Sequence, residues 1–306
     1  MFIKEPIFCA LKLIIITCYT FMYGGESVKF KIFVFAFFIF LFSAVSISAI
    51  DLFDVPVDIM LNGDYIKMND APFLYDGTTY APIREISGLF GAENVDWDEE
   101  NETAIIEFEE KVIEMPINKS FAYIDGEKVP LSASVMLVNS RTYVPVRFIS
   151  EHLGAKVLWD APYYTVQIEK NGCIVPEEKV LKRKYDNDHI YWLAKIISCE
   201  SQGESLDGMI AVGNVVLNRV ESPDFPNTIY GVIFDDVGGI QFEPVINGTI
   251  YNEPTQKSYL AAKMALEGEN TAGDSLFFLN PDKANNFWIT NNREFYTAIG
   301  NHHFYL

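Results

Sequence analysis

The stretch Trp192-Leu193-Ala194-Lys195-Ile196-Ile197-Ser198-Cys199-Glu200-Ser201-Gln202-Gly203-Glu204 decides how the C-terminal half folds. Trp192, Leu193, Ile196 and Ile197 recur with the spacing of a helix that buries one face, and Glu200 continues that face. A carboxylate on the buried side of a helix is costly unless it is paired or used. Partial burial also raises its pKa, as a general acid at neutral pH requires. The plainer alternative is a rim glutamate that ends the helix. Glu204, past Gly203, reads as solvated.

Downstream, residues 205–220 predict a second helix with Ser205 as its N-cap, and small residues Ala211 and Gly213 that permit close packing on a neighbour. It ends before Ser222-Pro223-Asp224-Phe225-Pro226-Asn227-Thr228-Ile229, a turn with two prolines. Asn247-Gly248, between Val245-Ile246 and Thr249-Ile250-Tyr251, predicts a small hairpin. Three further motifs follow in order: Gly239-Ile240-Gln241-Phe242-Glu243-Pro244-Val245, Phe277-Phe278-Leu279-Asn280-Pro281 and Ile299-Gly300-Asn301-His302-His303-Phe304-Tyr305.

This ordered set, spread over residues 189–306, resembles the SleB/CwlJ type of cell wall hydrolases, the spore cortex-lytic enzyme family. The resemblance implies a lysozyme-like, mainly helical domain that cleaves peptidoglycan glycan strands, with Glu200 as the catalytic acid. It further implies lytic transglycosylase chemistry, in which one glutamate first protonates the glycosidic oxygen and then activates the C6 hydroxyl of the same N-acetylmuramic acid. Cys199 stands where the family pattern leads one to expect a small residue such as alanine. Gln241 and Phe242 are expected to line the glycan groove, the amide bonding acetamido or hydroxyl groups and the ring either packing on a sugar face or belonging to the core. Asn280, Trp288 and Asn301 are further lining candidates. Hydrolysis would need a second carboxylate, for which Glu204, Asp235, Asp236 and Glu243 are the candidates.

Rival chemistries have weaker support. His302 and His303 invite a metal, yet adjacent histidines seldom chelate one ion, and His152 and His189 lie elsewhere. With no HExxH or paired-cysteine spacing, neither metal nor cofactor is expected. A Cys199 nucleophile served by a histidine would suit amide cleavage, but its expected burial argues against it. A non-catalytic wall-binding protein is the alternative from outside enzymology.

The chain has 306 residues, 49% hydrophobic and 14% aromatic, enough for about two packed domains. Its formal charge of -19 makes nucleic acid and anionic membrane surfaces poor partners. Apolar runs at residues 7–23 and 32–49 open the chain; Lys29 and Lys31 before the second, and Ser46-Ile47-Ser48-Ala49 at its end, give the layout of a secretory signal peptide. The first run is explained either by a misassigned start, with Val28 as the true initiator, or by a two-span anchor. Residues 1–49 are therefore read as a leader, and the protein as secreted or wall-associated. Beyond the leader only Cys173 and Cys199 remain, so no disulfide framework is expected.

Residues 50–170 hold an internal repeat. Asn62-Gly63-Asp64-Tyr65-Ile66 recurs as Asp125-Gly126-Glu127-Lys128-Val129, Thr79-Tyr80-Ala81-Pro82-Ile83-Arg84 as Thr142-Tyr143-Val144-Pro145-Val146-Arg147, and Val95-Asp96-Trp97-Asp98 as Val157-Leu158-Trp159-Asp160. Each copy predicts a hairpin, a strand running to Tyr-x-Pro, a short helix closed by Gly91 or Gly154, and a strand after Trp-Asp. Arg84 and Arg147 are expected to brace Asp98 and Asp160 or backbone carbonyls. The Arg-Thr-Tyr-Val-Pro-Val-Arg-Phe and Leu-Gly-Ala-x-Val-x-Trp-Asp stretches resemble the copper amine oxidase N-terminal-like domain, a stalk-like module. That name implies no copper here, because His152 is the only histidine in the region. The resemblance implies spacing, or contact with the wall or an accessory protein. Residues 171–188, charged and expected to be exposed, read as a linker to a catalytic domain at 189–306. The fold class expected is thus α+β in two domains: a tandem-repeat module, then a mainly α, lysozyme-like domain with a small β-hairpin.

Overall fold

A computed structural model of the chain describes residues 55–92, 94–237, 239–284 and 287–306. The leader reading, with Cys9 and Cys18, falls outside them. Among the described residues no helix is long and apolar enough to cross a membrane.

The N-terminal region is β-rich. Its first part runs β1 (Asp58–Leu61), β2 (Asp64–Tyr65), β3 (Phe73–Tyr75), β4 (Thr78–Pro82), α1 (Ile83–Gly88), β5 (Asn94–Asp98) and β6 (Thr103–Phe108). After β7 (Lys111–Pro116) the same order returns as β8 (Phe121–Ile124), β9 (Glu127–Pro130), β10 (Met136–Val138), β11 (Arg141–Pro145), α2 (Val146–His152), β12 (Lys156–Asp160) and β13 (Thr165–Glu169). The two copies interleave. β4 pairs antiparallel with β11, Ala81 opposite Val144, in a sheet of order β10-β11-β4-β3. β1 pairs in parallel with β13, so the first strand of one copy lies beside the last of the other. Alternation along these strands drives Ile59, Leu61, Ile106, Ile113, Met115 and Ile168 into one core with Ile86 of α1 and Ile149 of α2, all at most 1% exposed.

The expected arginine braces form only in part. Arg147 Nη1 donates to the Val157 carbonyl at 2.7 Å and to Glu151 at 3.2 Å, whereas Asp160 accepts from Gln167. Asp98 is taken by the Asn101 turn, and Arg84 is exposed, without an ion pair to any described residue. His152 closes its own helix, its Nδ1 donating to the Phe148 carbonyl at 2.8 Å.

Helices dominate the C-terminal region: α3 (Asn187–Ser201), α4 (Leu206–Glu221), α5 (Ile229–Ile233), α6 (Glu243–Asn247) and α7 (Gln256–Leu266). β14 (Phe277–Leu279), α8 (Trp288–Asn292), β15 (Phe295–Ile299) and β16 (His302–Tyr305) complete it, the strands forming a sheet of order β14-β16-β15. Asp186 starts α3 with a reciprocal cap: its side chain accepts from His189 N while the His189 ring faces the Asp186 N–H. Ser205 caps α4 through Gly208 N at 3.2 Å. Ile190, Leu193, Ala194, Ile196 and Ile197 of α3 are fully buried against α4 and α7. Gly213 permits that approach, since a Cβ there would sit 3.0 Å from Ile197 Cδ1 and 3.4 Å from Ala265 Cβ.

Two expectations change. The hairpin expected at Asn247-Gly248 is instead the end of α6 followed by a 3-10 turn, Thr249–Tyr251. Asn-Gly suits either outcome; here Gly248 takes the left-handed conformation as the helix stop, and Asn247 Oδ1 accepts from Thr249 N at 2.9 Å. The small hairpin of this region is β15–β16, turning at Gly300-Asn301.

The second change concerns residues 171–188, which run along the N-terminal region instead of standing free. Lys67 N donates to the Lys179 carbonyl and Leu181 N to the Tyr65 carbonyl, both at 2.7 Å. The Arg183 side chain is 6% exposed, stacked between Tyr65 and Tyr185 at 4.2 Å from each ring and 3.6 Å from Asp58. Asp58 of β1 also accepts from Lys263 of α7, a fully buried side chain whose Nζ lies 2.8 Å from Glu267. Gln256 reaches the Ala161 carbonyl at 2.6 Å, and Tyr163 packs edge-on to Tyr259. The two regions keep separate hydrophobic cores, yet belong to one compact unit.

Candidate active site

The periodicity of α3 sets Glu200 in its last turn, at the rim of the helical core. A groove of about 1250 Å³ opens there, lined by the end of α3, by Arg219 of α4, by residues 241–243 and by β14, α8 and the β15–β16 tip. A second recess of about 450 Å³ shares Ser198, Cys199, Glu200, Gln202 and Glu243 with it. Glu200 therefore faces two adjoining stretches of open space.

Burial is the main reason that the Glu200 carboxyl titrates at about 7. The Glu243 carboxylate pushes the same way, and the Arg219 guanidinium opposes both. A position in the last turn of a helix adds the negative end of the backbone dipole. Arg219 is itself only 5% exposed. Its Nε donates to the Leu276 carbonyl at 2.7 Å, and the rings of Phe225, Phe242 and Phe277 surround the guanidinium at 5.0 to 5.4 Å. Burial lowers its pKa to about 10, so the cation persists at neutral pH. One of its nitrogens, Nη1, is buried with no hydrogen-bond partner among the described residues. Asn214 and Asn218, on the same helix, donate to the carbonyls of Glu269, Gly273 and Ser275 and so hold the loop that leads into β14.

All six residues expected to serve the site, Glu200, Gln241, Phe242, Asn280, Trp288 and Asn301, line this one groove. They are not equally available. Phe242 is 3% exposed and packed in the helical core beside Arg219, so of the two roles open to its ring the core one is seen. Trp288 is 50% exposed on the groove wall, with Phe277 edge-on at 6.2 Å and the Arg293 guanidinium 5.4 Å from its ring. Asn280 Oδ1 accepts from Asp282 N at 3.0 Å and shapes its own turn, and Gln241 Nε2 reaches the Gly239 carbonyl at 3.0 Å.

Sequence reasoning passed over Arg219 and misjudged the setting of two groove residues it had named, Glu204 and His302. Arg219 could have been noticed as the one cation of α4. Glu204 was expected to be solvated, yet its side chain is 10% exposed and bonded to Asn301. Those bonds hold its pKa below the usual carboxylate range. His302 is buried beside it, its Nδ1 at 4.0 Å, and burial depresses its pKa. His303, the next residue on β16, alternates to the other side and packs on Phe295. Among the described residues, no group of three or more His, Cys, Asp or Glu could hold a metal ion. Cys199 is a free thiol that donates to the Thr249 carbonyl at 3.3 Å, and burial raises its pKa, the wrong direction for a nucleophile.

Comparison with known proteins gives two family matches: the Copper amine oxidase N-terminal domain over residues 60–168 and Cell Wall Hydrolase over residues 203–305. Glu200 lies just before the second span. The spore cortex-lytic enzyme of Bacillus subtilis (strain 168) is 36% identical over 105 residues, 34% of this chain and 33% of the relative. The cell wall hydrolase CwlJ of Oceanobacillus iheyensis is 33% identical over 107 residues, 33% of this chain and 74% of the relative. Among solved structures, the catalytic domain of the germination-specific lytic transglycosylase SleB from Bacillus anthracis is 36% identical, with 41% of this chain and 100% of that one covered and a TM-score of 0.38. The chain spans about a third of the length of the spore cortex-lytic relatives it matches. On the match to CwlJ, most of whose length it covers, the chain belongs to the cell wall hydrolase family.

Proposed function

We propose that the protein is an exported, peptidoglycan-cleaving lytic transglycosylase that cuts between N-acetylmuramic acid and N-acetylglucosamine, with Glu200 as general acid and then base. The observation that carries this reading is a carboxyl that titrates at about 7 on the wall of an open groove. At neutral pH about half of Glu200 is protonated and able to donate to the glycosidic oxygen. As that bond breaks, positive charge develops at C1 of the muramic acid and Glu200 becomes a carboxylate, which the buried Arg219 cation stabilises. The carboxylate then takes the proton of the C6 hydroxyl, O6 bonds to C1, and a 1,6-anhydro ring closes. No water is consumed, and Glu200 ends protonated as it began. In this reading the β-rich region is a spacer or wall-holding module clamped to the catalytic region.

One observation favours a second reading. Glu243 is exposed, lines both recesses and acts electrostatically on Glu200, the arrangement a hydrolase would need to activate water. Turnover of glycan strands by Glu200→Gln tests what both readings share. The nearly isosteric amide keeps the fold and glycan binding, but the rate should fall by about 100-fold or more. Turnover near that of the unaltered protein would refute both.

A further inference from the structure

Another carboxylate of the groove, Glu204, is engaged by the opposite wall. Glu204 follows α3 closely, so it is tied to the same helix end as Glu200. Its Oε1 accepts from Asn301 Nδ2 at 2.9 Å and its Oε2 from Asn301 N at 3.2 Å. Both oxygens are thus engaged by a single residue at the β15–β16 turn. The turn is built around them. A Cβ on Gly300 would stand 2.1 Å from Glu204 Oε2, and the φ of +57° there is one that side chains rarely adopt. His302, the residue after Asn301, turns its otherwise unpartnered Nδ1 toward Oε1 at 4.0 Å. From behind, Lys257 Nζ of α7 holds the Glu204 carbonyl at 2.7 Å.

We propose that Glu204 is a positioning residue: its carboxylate latches the Gly300–His302 tip of the hairpin onto the end of the helix that carries Glu200, and so fixes the groove wall against which glycan is held. This rests on the reading of the groove as a glycan cleft. Two neutral N–H donors could be met by a neutral acceptor, but one oxygen of a side-chain amide would satisfy only one of them and present an N–H to the other. Asn301 and His302 line the groove together with Glu204. Loss of the latch therefore loosens a binding wall without touching the proton on Glu200.

The test uses the full purified chain with solubilised, peptide-free glycan strands, reading KM and kcat separately beside the melting temperature. Glu204→Gln should raise KM about tenfold while kcat stays within about threefold. Glu204→Asp, which keeps the charge but is shorter, should fall between. Gly300→Ala should impair kcat/KM, and in the pair Gly300→Ala with Glu204→Ala the part of that loss due to the clashing oxygens should disappear relative to Glu204→Ala alone, leaving only the strain of the positive φ. An unchanged KM in a folded Glu204→Gln, or additive effects of Gly300→Ala and Glu204→Ala, would overturn the latch. Either result alongside an inactive Glu200→Gln refutes the latch alone, whereas an active Glu200→Gln refutes the cleft reading beneath it.

Discussion

Replacing Glu200 by glutamine should stabilise the protein at alkaline pH while removing its activity. The Glu200 carboxyl titrates at about 7 in the folded protein against 4.5 for an ordinary glutamate. Between these values the native state holds a proton that the unfolded chain has released. Unfolding therefore gives up a proton, and the contribution of Glu200 to stability falls as pH rises through that window. Fully developed above pH 7, the displacement corresponds to at most about 3–4 kcal/mol, since one pKa unit is worth about 1.4 kcal/mol. Glutamine has no proton to lose and matches the protonated carboxyl in shape. The two proteins should unfold at the same urea concentration near pH 4, and the variant should become progressively more resistant from pH 5 to pH 8. Taking the difference between them cancels the titration of every other group. A difference that does not change with pH, or one that favours the unaltered protein at pH 8, would show that Glu200 is not held protonated by burial.

Other consequences are open to measurement. Asp58→Asn removes the charge that Arg183 and the fully buried Lys263 share across the two regions; with Glu267 still beside Lys263, the loss in urea stability should be about 3 kcal/mol, and a change under 1 kcal/mol would mean that the cluster is not a clamp. Arg219→Gln removes the cation that opposes protonation of Glu200, so the alkaline limb of the pH–rate profile should move to higher pH with a lower maximal rate; a limb that stays in place would exclude Arg219 from tuning the acid.

The helix that carries Glu200 was readable because its apolar period is local. Gln241, Asn280, Trp288 and Asn301 come together with Glu200 in one groove, but how each side chain is engaged there was not legible. What escaped the sequence was set by distant partners. Glu204 looked solvated because the residue that buries it lies 97 positions later. Residues 171–188 looked like a free linker because Arg183 meets its acid in the first strand. Copies of a repeat can be counted from self-similarity, whereas the pairing of β1 with β13 depends on which edges remain open once each copy has formed. Asn247-Gly248 was misread for a different reason, since the left-handed conformation that makes a tight hairpin also stops a helix.

The products released from peptidoglycan test the central claim most directly. Digestion by the purified protein, followed by mass spectrometry, should give muramyl ends that lack one water, the mark of a 1,6-anhydro ring closed by C6 hydroxyl attack. Ends consisting only of reducing N-acetylmuramic acid would contradict transglycosylase chemistry and assign water activation to a second carboxylate such as Glu243, and intact glycan strands with cleaved peptides would contradict the whole account.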